Sequence, residues 1–173
     1  MSVIDEVVEQ NRAWAAAFEL GKLPMPPARK LAVVACMDAR LAIEPMLGLK
    51  TGDAHIIRNA GGIVTEDALR SLIISHHLLG TEEIMIVNHT DCGMLTFDDA
   101  GLRKKLRDET GLVPVAPAAF QAFSDLEQNV REQIMKIRLH PWIPQSVPVR
   151  GFVYDVKSGR LNEIAAGKVR GAA

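Results

Sequence analysis

Two short apolar runs, each ending in side chains able to bind a metal, constrain this chain more than any other feature. The first, Leu31 to Ala35, follows Pro24, Pro26 and Pro27 and delivers Cys36-Met37-Asp38-Ala39-Arg40. The second, Glu83 to Asn88, delivers His89-Thr90-Asp91-Cys92-Gly93. Short runs rich in β-branched residues and apolar on both faces read as buried strands of a parallel sheet. Open α/β sheets place their chemistry where such strands end and loops begin. Two strand ends with thiols and an imidazole therefore define the expected site before anything else is known.

The rest of the chain fits around that pair. Ile4 to Leu20 has helical periodicity, with Ser2 as its cap and Gly21 as its stop. Gly21 to Arg29 reads as a proline-rich extended tether. On residues alone, the helix could pack on its own domain or reach a neighbouring subunit. A short helix or turn is expected over Ala42 to Leu47, a second strand over Ala54 to Arg58, and a sharp loop at Asn59-Ala60-Gly61-Gly62. Helices are expected from Thr65 to Leu79, Leu102 to Thr110 and Pro117 to Leu139. Val149 to Val156 and Arg160 to Ile164 read as a terminal hairpin, with a frayed tail from Ala165. The expected fold class is α/β: a mostly parallel central sheet flanked by helices, with a C-terminal antiparallel edge hairpin and a protruding N-terminal helix. It has three core parallel strands, the first central between the other two. Residues 1–173 are read as one domain, with helix and tether over 1–29, a catalytic α/β core over 30–164 and the tail over 165–173.

Composition narrows the function classes. The formal charge of −1, from 20 basic and 21 acidic residues, offers no basic footprint for nucleic acid. No apolar run approaches the roughly 20 residues of a membrane span. The acidic, polar start Met1-Ser2-Val3-Ile4-Asp5-Glu6 does not read as a secretory signal, and two cysteines do not make a secreted disulfide framework. A cytoplasmic location is the expectation.

Cys36, His89 and Cys92 form a Cys₂His set, which suits Zn²⁺ and leaves a fourth position for water. A structural zinc is usually closed by a fourth Cys or His, so the pattern is catalytic. Two thiolates cancel the charge of the ion and acidify its water less than three imidazoles would. Asp38 and Arg40 alternate with Cys36 and can face the same crevice. Arg40 would hold Asp38 ionised, and Asp38 would orient zinc-bound hydroxide or else coordinate zinc directly and displace the water. A disulfide between the two cysteines is the bland alternative. His55, His76, His77 and His140 read as structural, Asp91 as a residue that fixes its loop, and Arg58 as a partner for a site carboxylate or for a neighbouring chain.

Cys36-Met37-Asp38-Ala39-Arg40, Arg58-Asn59-Ala60-Gly61-Gly62 and His89-Thr90-Asp91-Cys92-Gly93 together resemble the β-class carbonic anhydrases. The resemblance runs from the N-terminal helix through the final hairpin and is to the small members of the class. It implies a zinc enzyme, one Zn²⁺ per chain, that hydrates CO₂ to bicarbonate and a proton. Cys36, His89 and Cys92 match the ligands, and Asp38 and Arg40 match the catalytic dyad. It also implies a homodimer or dimer of dimers whose N-terminal helix embraces the partner. The glutamine that contacts substrate in the larger plant-type enzymes is missing before Cys36, so backbone amides near Gly61 and Gly62 are the candidate substrate contacts. Segments such as Ile73 to Leu79, Ala118 to Phe123 and His140-Pro141-Trp142 look like those of the carbonyl sulfide hydrolase branch. That makes conversion of COS to CO₂ and H₂S at the same site the alternative activity. A zinc or redox sensor without turnover is a third reading, opposed by the intact Asp38–Arg40 pair.

Overall fold

The computed structural model describes residues 1–113 and 116–166. Its elements in chain order are α1 (Val3–Ala16), β1 (Leu31–Cys36), α2 (Ile43–Leu47), β2 (Ala54–Asn59), α3 (Glu66–Leu79), β3 (Glu83–His89), α4 (Asp99–Thr110), α5 (Leu126–Arg138), β4 (Val149–Tyr154) and β5 (Leu161–Ile164). The strands form one sheet in the order β2-β1-β3-β4-β5. β1 lies centrally, with β2 on one side and β3 on the other, both parallel to it. Chain direction across the sheet therefore reverses beside β1, and the crevice at its carboxyl end opens there. Among the described residues the expected three parallel strands are four: β4 joins β3 in parallel, and only β5 runs antiparallel, pairing back on β4.

Alternation along β1 splits its side chains between two layers. Ala32 and Val34 pack with Leu72, Ile84, Ile86 and the Val130, Ile134 and Ile137 face of α5. Val33, Ala35 and Cys36 pack on the opposite side with Leu41, Ile43, Val87, Cys92 and Met94. The site is thus part of one hydrophobic layer rather than an addition to it. α5 approaches β4 closely: a Cβ at Gly151 would lie 2.8 Å from Ile134 Cδ1, which explains a glycine inside a strand.

Local signals set most element ends. Ser2 and Asp5 form a reciprocal capping box on α1. Thr65 caps α3 through the Ala68 amide, and Gly80 ends it in the left-handed conformation. Three helices depart from expectation. α1 stops at Ala16 instead of Leu20, because its last turn has no basic residue and no buried side chain to prolong it. The residues after it are turns rather than a plain extended tether, tied to the entry of β2 where Ala28 and Arg29 donate to the carbonyls of Gly52 and Asp53 at 2.9 Å each.

The larger correction concerns the helix expected from Pro117. It begins only at Leu126, capped by Asp125, whose carboxylate accepts the Gln128 amide. Upstream, the amides of Phe120, Gln121 and Ala122 all donate to the carboxylate of Asp99 at 2.8 to 3.2 Å, and Gln121 sits at φ 61°. Those amides cannot also serve a helix, so Phe120 and Phe123 do not lie on one. The three hydrogen bonds, that from Ala122 foremost, hold the Asp99 carboxyl below its usual pKa. α4 correspondingly starts earlier than expected, at Asp99. The frayed tail expected from Ala165 lies, for residues 167–173, outside the described residues. No helix among the described residues is long and apolar enough to cross a membrane.

Candidate metal centre

β1 and β3 are neighbours, so their last residues, Cys36 and His89, come to the same edge of the sheet. Asp91, at φ 57°, turns the chain sharply after β3 and returns Cys92 toward Cys36. That turn is held to β4: Thr90 donates its amide to Tyr154 O at 2.9 Å, and Val156 donates to the Thr90 hydroxyl at 3.1 Å. One donor atom from each of Cys36, His89 and Cys92 lies within 4.8 Å of the others, and all three residues are buried. Among the described residues no other group of His, Cys, Asp and Glu side chains meets that arrangement.

The donor set fits a zinc ion on three counts. The two sulfurs are 4.0 Å apart and not bonded; sulfurs each about 2.3 Å from one tetrahedral zinc would lie about 3.8 Å apart. His89 Nδ1 lies 2.9 Å from the Thr90 carbonyl, so it carries the proton and Nε2 presents its lone pair. That Nε2 is buried and, among the described residues, has no hydrogen-bond partner, an orphan that a metal would satisfy. The two thiols share their titration. A hydrogen bond from Cys92 holds Cys36 low, while the Cys36 sulfur and burial push Cys92 up. Burial is the largest single influence on His89 and would lower it, but the Cys36 sulfur, the Thr90 carbonyl and the Asp38 carboxylate together raise it.

Asp38 and Arg40 occupy the rim of the same crevice. Arg40 grips both carboxylate oxygens: Nε and the backbone amide donate to Oδ1 at 2.9 Å, and Nη2 donates to Oδ2 at 2.7 Å. That fork holds the Asp38 carboxyl well below the usual carboxylate range and raises Arg40 in return. Oδ2 receives a single bond and lies 3.7 Å from His89 Nε2, so the oxygen with unused capacity faces the metal position. Arg40 also reaches Asp91, through Nη1 to its carboxylate at 2.8 Å and Nη2 to its carbonyl at 3.0 Å. Asp91 thereby ties the loop after β3 to the loop after β1, the loop-fixing role expected of it.

Arg58, expected to pair with a carboxylate or a neighbouring chain, donates within this chain to two backbone carbonyls. Nε bonds Cys36 O at 3.0 Å and Nη2 bonds Asp38 O at 2.7 Å, clamping the segment that carries both the Cys36 sulfur and the Asp38 carboxylate. Gly61 and Gly62 lie beside this segment with φ of 79° and 61°. A Cβ on Gly62 would stand 2.9 Å from the Cys36 amide nitrogen, so only glycine fits there. The remaining histidines are used structurally: His55 bonds Ser75, His76 the Thr81 carbonyl and His77 the Trp142 carbonyl, while His140 accepts the Trp142 amide.

A β1–β3 switch point carrying two sulfurs, an imidazole and a forked carboxylate has close counterparts. The family model described as carbonic anhydrase matches residues 31–161. A β-carbonic anhydrase 1 of Mycobacterium tuberculosis is 47% identical over 164 residues, covering 95% of this chain and 99% of that one. A carbon disulfide hydrolase of Acidithiobacillus thiooxidans is 35% identical over 171 residues, 88% of this chain and 84% of that one. The crystal structure of carbonic anhydrase from Streptococcus mutans superposes with a TM-score of 0.89 at 42% identity, covering 95% of this chain and 99% of that one. The chain belongs to the carbonic anhydrase family, in its β class. Within that class it resembles the small type, to which the carbon disulfide hydrolases are also related.

Proposed function

We propose that the chain is a zinc-dependent carbonic anhydrase in which Cys36, His89 and Cys92 hold one zinc ion and Asp38 and Arg40 act on the nucleophile. The observation that carries this reading is the orphaned, buried His89 Nε2, set between two sulfurs and facing Asp38 Oδ2. When bound, zinc supplies the Lewis acidity that makes water nucleophilic near neutral pH. The chain's own residues do the rest. Asp38 Oδ2 accepts a hydrogen bond from the attacking oxygen and aims it at the carbon of CO₂. Because Arg40 keeps it strongly acidic, Asp38 orients rather than stores the proton, which leaves to buffer. Arg58 and the Gly61–Gly62 turn hold the Cys36–Asp38 segment in place, and the same two glycines are the candidate substrate contacts. A zinc or redox sensor would have no use for the fork on Asp38.

COS hydrolysis at the same site is the second reading, favoured by the carbon disulfide hydrolases among the relatives. CO₂ and COS are both linear and open to attack at carbon, so one set of residues serves either. The comparison of kcat/KM for CO₂ and COS on a single zinc-loaded preparation decides between them: carbonic anhydrase function predicts the higher value for CO₂, and a higher value for COS overturns it.

The reading extends to assembly and location. α1 buries no residue and exposes Ile4, Val7, Val8 and Trp14, which supports a homodimer or dimer of dimers in which this helix lies on a partner chain. We place the protein in the cytoplasm, with a small molecule as its substrate and neither nucleic acid nor membrane as partner.

A further inference from the structure

Gln133, Asn129 and Asn88 form a line of buried amides beneath the metal centre, with relative exposures of 1%, 4% and 1%. Gln133 Oε1 accepts the Val64 amide at 2.9 Å and Lys136 Nζ at 3.2 Å. Two groups that can only donate fix that atom as oxygen, so the other end of the side chain must be nitrogen. Gln133 Nε2 then donates to Asn129 Oδ1 at 2.8 Å, and Asn129 Nδ2 donates to Asn88 Oδ1 at 2.8 Å. Asn88 Nδ2 donates to the Gly61 carbonyl at 2.6 Å, a group that can only accept. Polarity is set at both ends, and no member can flip alone without placing oxygen against oxygen.

The receiving turn abuts the ligand strand. A Cβ on Gly62 would lie 2.7 Å from Asn88 Nδ2 and 2.9 Å from the Cys36 amide nitrogen, so relay, turn and ligand backbone are packed without slack. We propose that the Gln133–Asn129–Asn88 relay is a positioning network for the metal centre, fixing the Gly61–Gly62 turn and through it the backbone that carries the Cys36 side chain. The proposal rests on the reading that Cys36, His89 and Cys92 hold zinc. It makes Gln133, on α5, a determinant of metal retention from outside the ligand set.

Gln133→Glu tests it, since it keeps size and the accepting oxygen but replaces the donor with a second acceptor. Asn129→Ser cuts the relay at its middle and decides the matter should Gln133→Glu not fold. Both should release zinc to excess chelator about tenfold faster than wild type, and both should shift the sulfur-to-metal charge-transfer band of the cobalt-substituted protein. Ile134→Val, one residue along α5 in the apolar layer, should lower Tm while leaving the release rate and the band unchanged. Wild-type release and an unshifted band in the relay variants, or the same changes in Ile134→Val, would overturn the proposal. Neither readout needs turnover, so the relay can fail while the enzyme reading stands. A wild-type chain that binds no zinc defeats the site reading itself.

Discussion

The metal triad and the Asp38–Arg40–Asp91 rim share one crevice but are built in opposite ways. The triad is buried within the hydrophobic layer and keeps one polar atom, His89 Nε2, unsatisfied. The rim is more open, with the Asp38 side chain 19% exposed and Arg40 47%, and its charges are paired with each other. A buried orphan costs stability until something fills it, whereas a satisfied pair costs nothing while it waits. On the proposed function, the triad holds the ion and the rim presents one carboxylate oxygen in one direction. Retention of metal and turnover should separate accordingly.

The largest effect is expected from His89→Ala, which removes the nitrogen ligand: zinc measured after dialysis should fall to background and CO₂ hydration with it. A variant that keeps its zinc would erase the distinction between the two halves. Asp38→Asn should have a smaller and different effect. Zinc content should stay at the wild-type level while kcat falls on the order of 100-fold, read by stopped-flow hydration. Loss of zinc from Asp38→Asn would move this carboxylate from the rim into the ligand set.

What could be read from the sequence follows the range of the interactions. Cys36, Asp38 and Arg40 lie within five residues, and His89 and Cys92 within four, so strand-end motifs expose them without a fold. Their juxtaposition needed only the pairing of two apolar runs. Asn88, Asn129 and Gln133 stayed hidden, and Arg58 stood out without its partners, because those partners are distant in sequence: 41 residues separate Asn88 and Asn129, and 22 separate Arg58 and Cys36. A local hint existed: Asn129 and Gln133 stand one turn apart on α5 beside Val130, Ile134 and Ile137, polar residues on an otherwise apolar face. The helix expected from Pro117 failed for a related reason. Asp125 with Gln128 is a capping pattern that marks the true start, while the pull of Asp99 on three amides far along the chain has no local signature. The fourth parallel strand escaped likewise, since a hairpin pattern says nothing of the strand on its other side.

The most direct test is CO₂ hydration by wild-type protein as purified, after zinc is stripped with a chelator, and after one equivalent of zinc per chain is restored. Activity that vanishes on stripping and returns at a stoichiometry of one is the predicted result. Full hydration activity in the stripped protein, or restored zinc without restored activity, contradicts the assignment of Cys36, His89 and Cys92 as the centre of this site.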